Sequence, residues 1–509
     1  MPPLTTLSRS AGVLLHPTSL PGPFGVGDLG PSAHAWVQRL GAAGIGWWQV
    51  LPLGPTGYGD SPYQSPSSFA GNPNLISPEL LVDDGLLDRK NLADFELPEG
   101  PVPFEEVISA RRALVKRACD NFRHDTTGLH DDFAAFGARE AEWLDDFALF
   151  MAIKDAHDGV AWWDWPEPLA FRRPSALIEA RTKLRDEIDR HRFAQFLFFR
   201  QWADLRDAAR QNGIGLIGDL PIFVARDSVD VWTLPELFQL DERRRPLFVA
   251  GVPPDYFAAT GQLWGNPLYA WEALRATNYA WWIARMRAAL RLVDRVRLDH
   301  FRGVEAYWAV PAGDDTAKNG AWQAGPRDDL LVALRDALRG LPIFAEDLGF
   351  ITPEVDALRE RFGLPGIRLL QFAFGGAVEE RFLPHRFTRN LVAYTGTHDN
   401  DTTLGWYEHL TADQRRQFYR YAPEASNDPV RALLRLTWAS VADFAIVPLQ
   451  DVLGLGSEAR MNRPGIASGN WRWRATAEHV AEGRLAWLAE MTAVYDRQLP
   501  VRDASQKPA

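Results

Sequence analysis

Four carboxylates stand at or just past the ends of short runs that predict β-strands. They are Asp219, Asp299, Glu346 and Asp399. A lone acid at a strand end is usually a helix cap or a loop anchor, so the prediction rests on the four together. Like charges that share a site push at least one pKa upward, which supplies a neutral acid beside an ionised partner. The pattern therefore predicts acid–base or nucleophilic chemistry.

Neighbouring residues separate the roles of these acids. Arg297 precedes Asp299 by two positions in RVRLDHFRG, so strand alternation points both side chains to one face, and the guanidinium can keep a nucleophilic carboxylate ionised. Glu346 ends the apolar run LPIFAE, where desolvation favours a proton donor near neutral pH. His398 and Asp399, in GTHDND, add a donor and an acceptor suited to sugar hydroxyls or to an oxocarbenium-like charge.

A metal site is the alternative use of these acids together with His16, His300 and His398. The sequence has no HxH or HExxH pair and no acid-rich EF-type loop beside them, and these are the arrangements that zinc and calcium sites use. We therefore predict neither a metal nor an organic cofactor. The stretch GVGDLG (25–30) matches a dinucleotide fingerprint, but no strand precedes it directly, so we interpret it as a loop.

The elements that must position these acids are eight strand-like runs, most of them followed or preceded by amphipathic helical stretches. The predicted strands are 13–16, 46–52, 214–220, 293–299, 341–347, 366–372, 390–396 and 444–450. The predicted helices are 32–40, 277–293, 327–338, 352–363 and 477–499. Such repeats predict an α/β fold, a (β/α)8 TIM barrel, in which the carboxyl ends of all strands share one face and carry the chemistry.

Uneven strand spacing predicts insertions into one catalytic unit that spans 1–509. The interval 75–185, between strands two and three, has helical patterns and predicts an inserted helical subdomain. The interval 225–275, after strand three, predicts a second, irregular insertion that includes a lid loop. No Ser/Gly linker interrupts the chain, and it ends on a helical pattern after strand eight, without a separate C-terminal β domain.

Composition narrows the function classes. The 509 residues are 46% hydrophobic and 24% charged, as in ordinary globular proteins, and the net charge of −11 disfavours nucleic acid as a partner. Cys119 is the single cysteine, which excludes an internal disulfide and fits a reducing compartment. No apolar stretch is long enough to predict a membrane span or a signal peptide. We predict a cytoplasmic protein; nothing in the sequence assigns an oligomeric state.

The sequence contains the side chains that glycosidic-bond chemistry uses: paired acids, an arginine, a histidine and 20 tryptophans. A retaining enzyme places its nucleophile and its acid/base ~5 to 5.5 Å apart and forms a covalent glycosyl intermediate. Attack by water on that intermediate gives hydrolysis, and attack by a sugar hydroxyl gives transfer. Two aromatic loops, 251–269 and 460–474, are candidates for screening the intermediate from water.

The chain resembles glycoside hydrolase family 77, the 4-α-glucanotransferases called amylomaltases or disproportionating enzymes. The motifs that carry the resemblance run nearly end to end: GYGDSPYQSPSSFAGNP (57–73), GDLPIFVA (218–225), GVPPDYF (251–257), GQLWGNPLY (261–269), RVRLDHFRG (295–303), FAEDLG (344–349), GTHDNDTT (396–403) and MNRPGIASGNWRWR (461–474). The last is specific to the family, whereas the R-x-D, E and HD elements are shared with α-amylase relatives.

The resemblance implies Asp299 as nucleophile, Glu346 as acid/base and Asp399 as the carboxylate that grips the donor sugar and steadies the transition state. The further residues it implies are Tyr63, Asp219, Trp264, Arg297 and His398 as sugar contacts, Asn470 near the cleft, Asp255, Tyr256 and Phe257 in a lid, and Tyr58 at a second glucan site. It also implies maltooligosaccharides and α-1,4-glucans as donors, and glucose or a glucan as acceptor. Two alternatives stay open: an α-amylase-type hydrolase, and a glucan-binding protein that has lost its chemistry.

Overall fold

Eight parallel strands close into a barrel in the computed structural model, which describes residues 9–124, 128–254, 259–375 and 380–498. We number the barrel strands along the chain: β1 Ser10–Leu14, β2 Trp47–Gln49, β3 Gly215–Leu220, β4 Arg295–Leu298, β5 Ile343–Ala345, β6 Gly366–Leu369, β7 Leu391–Tyr394 and β8 Phe444–Pro448. Each strand pairs with its neighbours in chain order, and β8 closes the ring on β1. The predicted (β/α)8 barrel is confirmed.

Several predicted strand boundaries are wrong, and the first and sixth strands show why. The first strand was expected at 13–16 but lies at Ser10–Leu14, because Pro17 begins a short 3₁₀-helix, Pro17–Ser19. The sixth was expected to reach residue 372 but ends at Leu369, where the helix Leu370–Phe374 begins. Both errors come from apolar runs that continue past the strand into buried turns, since periodicity does not separate the two.

Helices pack around the barrel. Those of six residues or more are Pro31–Ala42, Pro78–Asp83, Phe104–Phe122, Leu129–Ala156, Pro174–Lys183, Arg185–Gln211, Trp271–Ala276, Ala280–Leu292, Arg327–Leu338, Pro353–Arg361, Thr403–Glu408, Ala412–Tyr421, Pro429–Ala439 and Ala486–Val494. The predicted helix 327–338 is reproduced residue for residue. The predicted helix 477–499 is wrong in its first half: only Ala486–Val494 is helical, since turns precede it and Gly483 has φ 85°.

Long helices fill the interval between β2 and β3. The pair Leu129–Ala156 and Arg185–Gln211 packs side by side, with Phe104–Phe122 against the second of them. Aromatic rings tie them together, for example Phe122 stacked on Phe193 with centroids 4.6 Å apart. Among the described residues, no helix is both long and apolar enough to cross a bilayer.

The interval after β3 is not simply irregular. Its strands Phe248–Val252 and Gln262–Pro267 form a four-stranded antiparallel sheet with Ala306–Pro311 and Ala321–Ala324, which lie between β4 and β5. Side chains alternate across this sheet. One face places Ala250 and Ala309 in the main core, and the other carries a row in which Trp308 lies opposite Trp322. No strand forms after β8 within the described chain.

Candidate active site

One cleft of about 1270 Å³ opens at the carboxyl ends of the barrel strands. Asp299 and Glu346 line it, because each is the residue directly after its strand, β4 and β5. Asp399 lines it from the loop after β7. The three carboxylates with predicted catalytic roles therefore face a single compartment.

Arg297 is the cation that holds two of the acids. Its Nη1 lies 2.8 Å from Asp299 Oδ1 and 2.7 Å from Asp219 Oδ2, and only 3% of its side chain is exposed. Although burial opposes its charge, the carboxylates of Asp219 and Asp299 raise the pKa of Arg297 well above its ordinary value. Asp299 therefore faces the cleft beside a permanent positive charge, as strand alternation predicts.

Glu346 accepts two backbone hydrogen bonds. The N–H of His300 donates to Oε2 at 2.7 Å, and the N–H of Leu348 donates to Oε1 at 2.9 Å. His300 has φ 51°, a left-handed conformation that is uncommon for a residue with a side chain. Burial, together with the charge on Asp299, raises the pKa of Glu346 to about 8 against the opposing charge of Arg297. Glu346 is thus protonated at neutral pH.

Asp219 lies behind the cleft wall rather than in it. Its side chain is fully buried, and Oδ2 accepts hydrogen bonds from Arg297 and, at 3.0 Å, from the Tyr63 hydroxyl. Burial raises the pKa of Asp219 to about 7, with Arg297 opposing. Oδ1 has no hydrogen-bond partner within the described chain, and the sugar contact expected for Asp219 stays a prediction.

Tyr63 and His398 form a stacked pair in the cleft wall. Their rings lie 5.3 Å apart at 14°, and the Tyr63 hydroxyl is 2.8 Å from His398 Nε2. Burial lowers the pKa of His398, so its imidazole is neutral. Trp471 closes the cluster, 5.6 Å from Tyr63.

Two residues that the sequence analysis did not single out position Asp399. Asn462 Nδ2 donates to Asp399 Oδ1 at 2.6 Å, and Arg460 Nη2 donates to the Asp399 carbonyl at 2.7 Å. Both belong to the loop 460–474, which lines the cleft. Only their place within the MNRPG motif region could have pointed to them.

A buried arginine cluster supports the loop that carries Glu346. Asp347 is fully buried, and its Oδ2 lies 3.0 Å from Arg368, 2.9 Å from Arg381 and 3.3 Å from Arg359. The backbone N–H of Ile367 donates to its Oδ1 at 2.7 Å. This carboxylate therefore fixes the peptide next to Glu346 to β6, to the helix Pro353–Arg361 and to the segment around residue 381.

The remaining predicted contacts lie around the same cleft. Trp264 packs edge-on against His300 at 4.8 Å, and Asn470 shapes the loop by accepting from the Arg463 N–H at 3.0 Å. Tyr58 is 80% exposed at the cleft. The predicted lid residues Asp255, Tyr256 and Phe257 lie outside the described residues.

The histidines considered as metal ligands are His16, His300 and His398. Within the ranges that the structure describes, no cluster of three or more His, Cys, Asp or Glu residues is arranged to hold a metal ion. His16 and His300 are buried, and burial lowers the pKa of His16 to about 3 and that of His300 to about 4. The site combines carboxylates, buried arginines, neutral imidazoles and aromatic rings.

A barrel with paired carboxylates at its mouth, one protonated and one beside an arginine, defines an enzyme built for glycosidic-bond chemistry. The family model described as 4-alpha-glucanotransferase, glycoside hydrolase family 77, matches residues 15–479. The chain belongs to this family, so the predicted membership is confirmed. The family's transfer activity favours the transferase over the α-amylase-type hydrolase.

Several similar proteins cover 96% of the chain. The 4-alpha-glucanotransferase of Thermus thermophilus is 50% identical over 500 residues, which are 96% of this chain and 99% of that protein. The Synechocystis enzyme of the same name is 47% identical over 96% of this chain and 98% of its own. The solved amylomaltase from Streptococcus agalactiae in complex with acarbose is 38% identical, with a TM-score of 0.93 over 96% of this chain and 100% of that chain.

Proposed function

We propose that this enzyme transfers α-1,4-glucan segments from maltooligosaccharides to glucose or to another glucan by a double displacement. The observation that carries the proposal is that Glu346 and Asp299 line one cleft, where burial raises the pKa of Glu346 and Arg297 pairs with Asp299. The acarbose complex of the similar amylomaltase supports glucan binding in such a cleft.

In the first displacement, Asp299 attacks the anomeric carbon of the donor sugar while Glu346 gives its proton to the leaving glycosidic oxygen. The C–O bond to the leaving glucan breaks, and a covalent glucosyl–Asp299 ester forms. In the second displacement, the Glu346 carboxylate takes the proton of the acceptor 4-hydroxyl, whose oxygen attacks the same carbon and releases Asp299. The raised pKa of Glu346 suits both steps, because the group must give and regain one proton near neutral pH.

The surrounding residues position these groups. Arg297 orients Asp299, and Asp219, which also accepts a hydrogen bond from the Tyr63 hydroxyl, holds Arg297 from behind. Asp399, fixed by Asn462, is the proposed grip on the donor-sugar hydroxyls, with His398 beside it. Trp264 and Asn470 are proposed as wall contacts, Tyr58 as an outer glucan contact, and 255–257 as the lid.

The test is the product pattern from maltotriose. Transfer yields glucose together with a ladder of longer maltodextrins, whereas glucose and maltose alone would identify a hydrolase. Asp299→Asn should lower turnover by several orders of magnitude while glucan binding survives. Asp401→Asn is the matched control, because this acid lines the same cleft but bonds Thr402 and Ser457. Full activity in Asp299→Asn would remove that residue from the role of nucleophile.

We also propose that 1–509 acts as one catalytic unit, with the inserted helices at 75–185 and the insertion 225–275 shaping its cleft. The buried thiol of Cys119 supports a cytoplasmic location. Fractionation of the source cells would test the location, since activity confined to a membrane or an extracellular fraction would refute it.

A further inference from the structure

Two exposed aromatic rings lie together in the cleft wall and have no role in the chemistry described above. Trp322 is 37% exposed and Phe350 is 67% exposed. Their ring planes differ by only 25°, with centroids 6.4 Å apart, and both line the cleft that holds Asp299 and Glu346. We call this pair the aromatic shelf.

The shelf is held in place by its neighbours. The Arg302 guanidinium lies 3.7 Å from the centre of the Trp322 ring, and its Nη1 donates to the Phe350 carbonyl at 2.6 Å. Trp308 packs edge-on against Trp322 at 5.2 Å, and its indole N–H donates to the Ala317 carbonyl at 2.8 Å. Two rings fixed in this way are preorganised for a ligand, because little side-chain freedom is lost on binding.

Barrel topology decides on which side of the scissile bond the shelf lies. Trp322 lies on the chain between β4 and β5, and Phe350 follows β5 four residues after Glu346. The proposed donor-sugar grip, Tyr63 with His398 and Asp399, comes from the loops after β2 and β7, across the barrel. A glucan that runs from this grip over Asp299 and Glu346 reaches the shelf with its leaving-group end.

We propose that the aromatic shelf is a binding subsite for glucose units on the leaving-group and acceptor side of the scissile bond. This inference rests on the proposed function and adds to it a determinant of acceptor length. Sugar rings have apolar C–H faces that pack on flat aromatic surfaces, and Phe350, which is 67% exposed beside Trp322, offers such a surface to the cleft. Glucose alone, bound next to Glu346, does not need the shelf.

The kinetic test compares acceptors of increasing length with one donor. In Trp322→Ala and Phe350→Ala, KM for a maltotetraose acceptor should rise about tenfold, the loss expected when one apolar sugar face is no longer covered. KM for glucose as acceptor, and kcat with glucose, should stay at wild-type values. An equal rise for both acceptors would overturn the proposal, because it would show a general disturbance of the cleft.

Trp163→Ala is the matched control. Trp163 is also a partly exposed tryptophan under a guanidinium, that of Arg226 at 3.9 Å, but it does not line the cleft. This variant should keep wild-type KM values for both acceptors. Trp322→Phe, which keeps an aromatic ring, should recover most of the affinity for maltotetraose.

A binding measurement keeps the test independent of turnover. Calorimetry with maltoheptaose on Asp299→Asn enzyme, with and without Trp322→Ala, should show affinity about tenfold weaker in the double variant. Unchanged affinity would overturn the shelf even if transfer is confirmed. Absence of transfer in the wild-type enzyme would overturn the proposed function. Even then, weaker maltoheptaose binding by the double variant than by Asp299→Asn would support a glucan subsite at the aromatic shelf.

Discussion

The raised pKa of Glu346 makes a prediction about stability as well as about catalysis. The folded protein holds the Glu346 proton between pH 4.5, the ordinary pKa, and about 8, where the unfolded chain has lost it. The free energy of unfolding therefore falls as the pH rises across this window. Glu346→Gln replaces the group by a neutral isostere and removes this dependence, at the cost of activity.

The size of the effect follows from the contacts. At ~1.4 kcal/mol per pKa unit, ionising Glu346 costs the folded state about 5 kcal/mol more than the unfolded chain. The amide nitrogen of Gln cannot accept a hydrogen bond, so one of the two bonds from the His300 and Leu348 N–H groups is lost. This loss lowers the free energy of unfolding by about 1 kcal/mol. At pH 5 the ionisation of the unfolded chain already lowers the stability of the wild type by about 0.8 kcal/mol, which nearly offsets the lost bond. The variant should therefore match the wild type in stability at pH 5 and be about 3 to 4 kcal/mol more stable at pH 9.

Scanning calorimetry at the two pH values measures this difference. An unfolding entropy of ~2 cal/mol/K per residue makes the expected Tm shifts about 0 °C at pH 5 and about +3 °C at pH 9. Glu140→Gln is the control. Burial raises the pKa of Glu140, but hydrogen bonds from Arg291, Trp143 and Arg139 outweigh burial and hold this pKa below its ordinary value. Glu140→Gln should therefore be less stable than the wild type at both pH values. The same Tm difference for Glu346→Gln at pH 5 and pH 9 would refute the raised pKa.

Two further variants test the supporting charges. Arg297→Met leaves Asp219 and Asp299 without their counter-charge, so we expect the free energy of unfolding to fall by about 3 to 5 kcal/mol, with little remaining turnover. Denaturation should show a smaller fall at pH 5 than at pH 8, because protonated Asp219 needs no charged partner. Equal falls at the two pH values would contradict the pairing. Asp347→Asn should lower kcat for maltotriose with KM nearly unchanged and move the basic limb of the pH–rate profile, because the peptide next to Glu346 loses its anchor. Asp347→Glu keeps the charge and should restore part of kcat. A change in KM alone would argue against a positioning role for Asp347.

The barrel strands and the acids at their ends could be predicted because both signals are local. Asp299 and Glu346 directly follow their strands, and two-residue alternation is enough to bring Arg297 to Asp299. The errors arose where local patterns are ambiguous. The stretch 477–485 has helical spacing but contains Gly483 in a left-handed conformation, which turns the chain before the last helix begins.

Contacts between distant segments could not be predicted from spacing. Tyr63 and His398 are 335 positions apart, and the Asn462 bond to Asp399 joins two loops that only the closed barrel brings together. The four-stranded sheet pairs segments from both sides of β4, and its strands of four to six residues are too short for a clear alternation. The arginines around Asp347 come from three segments and share no motif.

The backbone N–H of His300 has a consequence for how this enzyme can be altered. This amide belongs to the peptide that follows Asp299, and it grips Glu346 directly. One peptide unit thus links the two reacting groups through a single hydrogen bond. Residues of the outer cleft wall can therefore be substituted to suit glucans of other lengths while the distance between the two carboxylates stays the same.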